Sequence, residues 1–103
     1  LRTYESPNAH KAQLKVEMFN QGEIDIMREV QLGPVFFGET LISNDVPNLT
    51  YMLSAESEEA HATHWKGFGP HPEWQVLKKL ERYKDTVSRI ISTKLAPTEG
   101  SQL

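Results

Sequence analysis

The chain contains no cysteine among its 103 residues. That excludes disulfides, thiolate zinc sites and a cysteine nucleophile. At 103 residues the chain suffices for one domain with one two-layer core but not for two. Long apolar runs are missing as well, so no membrane span is predicted, and no signal peptide is visible. These absences fit a reducing compartment, and the cytoplasm is the expected location. The chain opens at Leu1 with strand-like sequence rather than a methionine, which reads as a start inside a longer protein. Runs of one charge are lacking too: 11 Lys and Arg face 14 Asp and Glu, for a net charge of −3. A phosphate-backbone binder needs a positive stripe, so nucleic acid is not an expected partner. There is no glycine-rich phosphate loop, no G-x-S-x-G nucleophile elbow and no Rossmann unit. Asn48-Leu49-Thr50 fits the glycosylation acceptor pattern, but without a secretion signal it reads as coincidence.

The composition that remains, 38% hydrophobic and 24% charged, is that of a folded soluble domain. LRTYES (1–6) has the period-two character of a strand. Ser6 is the expected N-cap and Pro7 the first turn of a helix that continues to about Gln31. Ala12, Val16, Phe19, Ile26, Met27 and Val30 form its apolar stripe, and Glu23 is the only charged residue inside that stripe. Gly22 weakens the helix without ending it, whereas Gly33-Pro34 ends it. PVFFGETLIS (34–43) is the clearest strand, NDVPN (44–48) a turn, and LTYMLSAE (49–56) the hairpin partner. Ser57 caps a helix to about Phe68, Gly69-Pro70 breaks it, and Pro72 starts another with Trp74, Leu77 and Leu80 on one side. TVSRIISTKLA (86–96) is the last strand, and PTEGSQL (97–103) is a tail.

Strand, helix, strand, strand, helix pair and strand make the α+β, ferredoxin-like βαββαβ plan. It has one four-stranded antiparallel sheet with helices on one face. In strand 34–43, Val35, Phe37, Glu39 and Leu41 share one face, and Phe36, Gly38, Thr40 and Ile42 share the other. Neither set is polar. An uncovered apolar sheet face calls for a partner, so a homodimer packed through its sheets is predicted.

The chain resembles the NIPSNAP family. The blocks that carry the resemblance are LRTYES, KVEMFNQGEIDI, GPVFFGET, PNLTYML and W-x-x-F-x-x-x-PEW, the last spanning Trp65 to Trp74. They occur in order over nearly the whole chain. The resemblance implies the dimeric α/β barrel fold and leaves function open, because that wider superfamily holds monooxygenases, haem-binding proteins, isomerases and stress proteins.

Several side chains stand out as site candidates. His61, His64 and His71 are spaced so that they could form a neutral imidazole triad for zinc, copper or iron. No carboxylate motif supports them, so His61 and His64 read as surface residues and His71 as a helix cap. No metal or cofactor is predicted, and haem is the minor alternative. Trp65, Phe68 and Trp74 are expected to pack the helix pair onto the sheet and to wall a pocket. Glu23 and Glu39 sit on apolar faces, where a carboxylate must be paired or protonated. Arg2, Tyr4, Tyr51 and Arg89 are the candidate partners. Glu39 is the candidate general acid/base, and Arg2, Tyr4, Glu23, Tyr51, Trp65, Phe68 and Trp74 the candidate pocket. The leading expectation is binding of a small organic molecule, extending to cofactor-independent oxygenase or isomerase-type chemistry. A non-enzymatic interaction dimer and a haem-binding protein are the alternatives.

Overall fold

In the computed structural model, which describes residues 1–103, strands β1 (Arg2–Glu5), β2 (Pro34–Glu39), β3 (Asn48–Leu53) and β4 (Arg89–Ser92) form one sheet. Its order is β2-β3-β1-β4, and every neighbouring pair is antiparallel. This is the expected βαββαβ arrangement. The strands are shorter than the residue pattern predicts. β2 stops at Glu39, so Thr40 to Ser43 leave the sheet, and β4 covers only the middle of 86–96.

Alternation fixes the two faces. Arg2 is paired with Tyr51 and Ser92, Tyr4 with Leu49 and Ile90, and Phe37 with Tyr51. These residues look toward the helices. Thr3, Thr50, Met52, Phe36 and Ile91 point the other way. A register shift between Pro34 and Phe36 sets Val35 outside the pairing.

The first helical region is not one continuous α-helix. α1 (Ala9–Met18) passes into a π-helical turn (Phe19–Glu23) and then into α2 (Ile24–Glu29). A π-turn holds one residue more than an α-turn and shifts the phase of everything after it. Gly22 lies within it, and a Cβ there would stand 3.2 Å from Leu77 Cδ2, so its bare backbone admits the next helix pair closely. The N-cap is Asn8, whose side chain accepts from the Lys11 N–H at 2.9 Å. Ser6, expected in that role, instead donates its hydroxyl to the Thr86 carbonyl at 2.5 Å.

α3 (Glu58–Phe68) begins at the Ser57 cap as expected, and α4 (Pro72–Leu77) begins at Pro72. A 3₁₀ turn (Glu81–Tyr83), not foreseen in the sequence, follows α4. Leu80 therefore leaves the apolar side assigned to it and is half exposed. No helix is long and apolar enough to cross a membrane. The core gathers Tyr4, Leu14, Met18, Phe19, Ile26, Met27, Leu49, Tyr51, Phe68 and Leu77 between the sheet and the helices. Phe19 sits at its centre, with its ring 5.3 Å from Tyr51, 5.7 Å from Phe37 and 6.0 Å from Tyr4.

Candidate functional site

A cleft of about 290 Å³ opens between the helices and the β1–β4 side of the sheet. β1 supplies Tyr4, α1 supplies Lys15, and the π-turn supplies Glu23. Trp65 and Phe68 come from α3, Trp74 from α4, and Val87 and Ile90 from the last strand and its approach. Five of the seven expected pocket residues thus converge here. A larger, more open depression of about 480 Å³ lies outside, between the π-turn and α4. It holds no buried ionisable group, so it offers less to a ligand's polar groups.

Lys15 is the charged member that the residue pattern missed. Its Nζ donates to Glu23 Oε1 at 2.6 Å, and the two side chains are only 7% and 3% exposed. Three aromatic rings surround the ammonium: Phe19 at 5.1 Å, Tyr4 at 5.4 Å and Trp74 at 5.9 Å. Such faces attract a cation and help replace its lost water. Residues eight apart on a straight α-helix stand about 80° out of phase. The extra residue of the π-turn reduces this to about 20°, and it is what brings Glu23 over Lys15. Burial pushes the Glu23 carboxyl above its usual range, while Lys15 and Arg2 pull it back.

Tyr4 and Tyr51 hydroxyls lie 2.7 Å apart and are buried. Burial raises both phenols, so both stay protonated at neutral pH. One hydroxyl proton closes their mutual bond, which leaves the other free for an acceptor. Tyr51 is fully buried and stands behind the cleft wall rather than in it. Arg2 flanks the cleft, with its guanidinium carbon 4.9 Å from the Trp65 ring and 5.2 Å from the Tyr4 ring. The aromatic wall is continuous: Trp65 meets Phe68 at 5.3 Å, and Phe68 meets Trp74 at 4.8 Å.

Two expectations need correction. Glu39 is exposed, and beyond the backbone ladder its side chain engages no hydrogen bond or ion pair. It ends an edge strand beyond the reach of the helices, so its apolar-face position does not bury it. His61, His64 and His71, weighed only as a minor metal alternative, do not gather into a triad. His61 Nε2 accepts the Trp65 indole N–H at 3.0 Å. Burial and then Arg2 hold its pKa below the usual imidazole range. His71 does cap α4: its Nδ1 accepts the Glu73 N–H at 3.2 Å, leaving Nε2–H to donate to Glu29 at 2.6 Å. Glu29, His71 and Glu73 bring ligand atoms within 4.8 Å of one another. However, a metal-ligating histidine donates from its second nitrogen, and here that nitrogen accepts. Arg89, offered as a carboxylate partner, lies on the open sheet face, 3.5 Å from Asp45 and 4.0 Å from Glu5.

The fold has close counterparts. A crystal structure of a protein from Agrobacterium tumefaciens superposes with a TM-score of 0.85 at 17% identity, over 99% of this chain and 94% of that one. An uncharacterised NIPSNAP-like domain protein from Burkholderia xenovorans gives 0.82 at 23% identity, over 97% of this chain and 84% of that one. At such identities the likeness speaks for the fold alone. Among curated proteins none matches. The NIPSNAP family model matches residues 1–102, and with the βαββαβ sheet and the five sequence blocks this settles the kinship: the chain belongs to the NIPSNAP family.

Proposed function

We propose that the protein is a cytoplasmic homodimer that binds a small organic molecule in the cleft between helices and sheet, with proton-transfer chemistry of the cofactor-independent isomerase or oxygenase kind. One observation carries this reading. Lys15–Glu23 is the only ion pair with both side chains buried, and it faces an aromatic cleft. Stability gives little reason for it, because well-packed apolar residues in the same space are often as stable or more so. At about 290 Å³ the cleft lies at the small end of ligand sites. Glu23 takes the acid/base role expected of Glu39. A carboxylate beside an ammonium can accept a proton from carbon, and the free Tyr4–Tyr51 hydroxyl proton can meet the oxygen where charge develops.

The dimer reading rests on the open sheet face. Phe36, Met52 and Ile91 lie there around the Thr3, Thr40 and Thr50 hydroxyls, which are linked at 3.2 and 3.3 Å. The subunit is only 18 Å across its thinnest dimension, two layers with nothing over the sheet.

Two tryptophans give two indole N–H signals, one for each end of the aromatic wall. Titration with neutral cinnamamide, followed by these resonances, is expected to shift both. Unmoved indoles would remove the pocket reading. Native mass spectrometry of the same sample reports the assembly, and a monomer there would remove the dimer.

A further inference from the structure

The charges around the cleft do not balance. Lys15 is matched by Glu23 at 2.6 Å, but the Arg2 side chain has no ion-pair partner and no hydrogen bond. Its Nε is buried and unsatisfied. Buried donors are nearly always paired, and those of a guanidinium are the costliest to leave bare. The guanidinium is held in place all the same, between the Tyr4 and Trp65 rings. Both rings line the cleft. A planar cation fixed between two aromatic walls presents its donor fork in one orientation, suited to a planar oxyanion.

Resting on the pocket reading above, we infer that the cleft takes a small organic monoanion, a carboxylate on a flat apolar body. Arg2 binds the carboxylate, and Trp65, Phe68 and Trp74 receive the body. An anion restores neutrality to a set that otherwise holds two cations and one carboxylate. A cationic ligand would add a third positive charge to the same space, and a neutral one would leave Arg2 bare. Arg2 is felt throughout the site, since its charge shifts the ionisation of Tyr4, Glu23, Tyr51 and His61.

The test uses three probes of one shape on the full chain: cinnamate, cinnamamide and cinnamylamine. Calorimetry is expected to show cinnamate binding roughly tenfold more tightly than cinnamamide, the size of one charge-assisted hydrogen bond. Cinnamylamine should bind most weakly. Arg2→Gln should bring cinnamate and cinnamamide to equal affinity, while Arg2→Lys, which keeps the charge and loses the fork, should keep part of the difference. The wild-type comparison needs no variant, so a folding defect in Arg2→Gln does not blunt it. Equal affinity for acid and amide in the wild type, with the indole signals moving, overturns the anion preference and leaves the pocket standing. Tightest binding by the amine overturns it likewise. No binding of any probe overturns both readings.

Discussion

Lys15 and Glu23 lock each other in place, and each is a liability without the other. Glu23→Gln leaves an ammonium buried among Tyr4, Phe19 and Trp74 with no countercharge. The expected cost is roughly 3–5 kcal/mol, read as a fall in the urea midpoint. Lys15→Met with Glu23→Gln removes the stranded charge, and most of that loss should return. A double variant no better than the single one would show that the pair is not the source. Glu17 behaves differently, because it is a half-buried acid at the surface clasped by Arg82 at 2.6 and 2.9 Å. The Arg82 hydrogen bond holds its carboxyl down at about 2. A lowered acid contributes stability that is present above its unfolded pKa and lost as pH falls through the folded value. The melting temperature should therefore decline between about pH 4.5 and 2, and Glu17→Gln should flatten that decline. At this scale the sequence is partly readable. Glu23 declares itself as the one charge in an apolar stripe. Lys15 does not, because on a straight helix it falls outside that stripe. Glu39 misleads, since sharing a face with Phe37 says nothing about how far the helices reach.

Each element ends for a reason that pairing, rather than propensity, supplies. Thr40 to Ser43 have strand-like side chains but no ladder to join. The residue before β3 is Pro47, which has no N–H, and its carbonyl already accepts from Ser6 at 3.0 Å. β4 is limited likewise by the four residues of β1, which it matches one for one from Glu5↔Arg89 to Arg2↔Ser92. The turn before β2 depends on Gly33, at φ +56°, where a Cβ would stand 2.5 Å from the Ser54 carbonyl oxygen. Gly33→Ala should cost at least about 1–3 kcal/mol in chemical denaturation, from the left-handed backbone and the clash together. Gly22→Ala meets only the tip of Leu77, so its gain in helix propensity, about 0.5–1 kcal/mol, offsets the crowding. It should stay within about 1 kcal/mol of wild type. Helices and strands were legible here as kinds and in order, because their apolar periods differ. The π-turn was not: Asn20-Gln21-Gly22 marks a weak point in a helix, but nothing in one sequence says that it holds an extra residue.

The whole molecule is a sheet with one covered face, and the alternation in β2 and β3 foretold the bare one. Its centre is a patch of threonine hydroxyls rimmed by Phe36, Met52 and Ile91, mixed in the manner of many subunit contacts. If the proposed dimer forms through this face, Met52→Lys places two ammonium groups in the joint. Light scattering should then report a monomer whose far-ultraviolet circular dichroism is unchanged. A dimer persisting in Met52→Lys would point to another face. Beyond the end of β2 the chain has its most exposed apolar residues, Leu41 and Ile42, 89% and 95% open to solvent. They sit in the stretch that joins two strands already bound edge to edge, so a protease cutting between them would remove no rung of the β2–β3 ladder. The nicked chain would remain one body made of two fragments. That makes the stretch a natural breakpoint for expressing the protein in halves, or for grafting a foreign peptide between them.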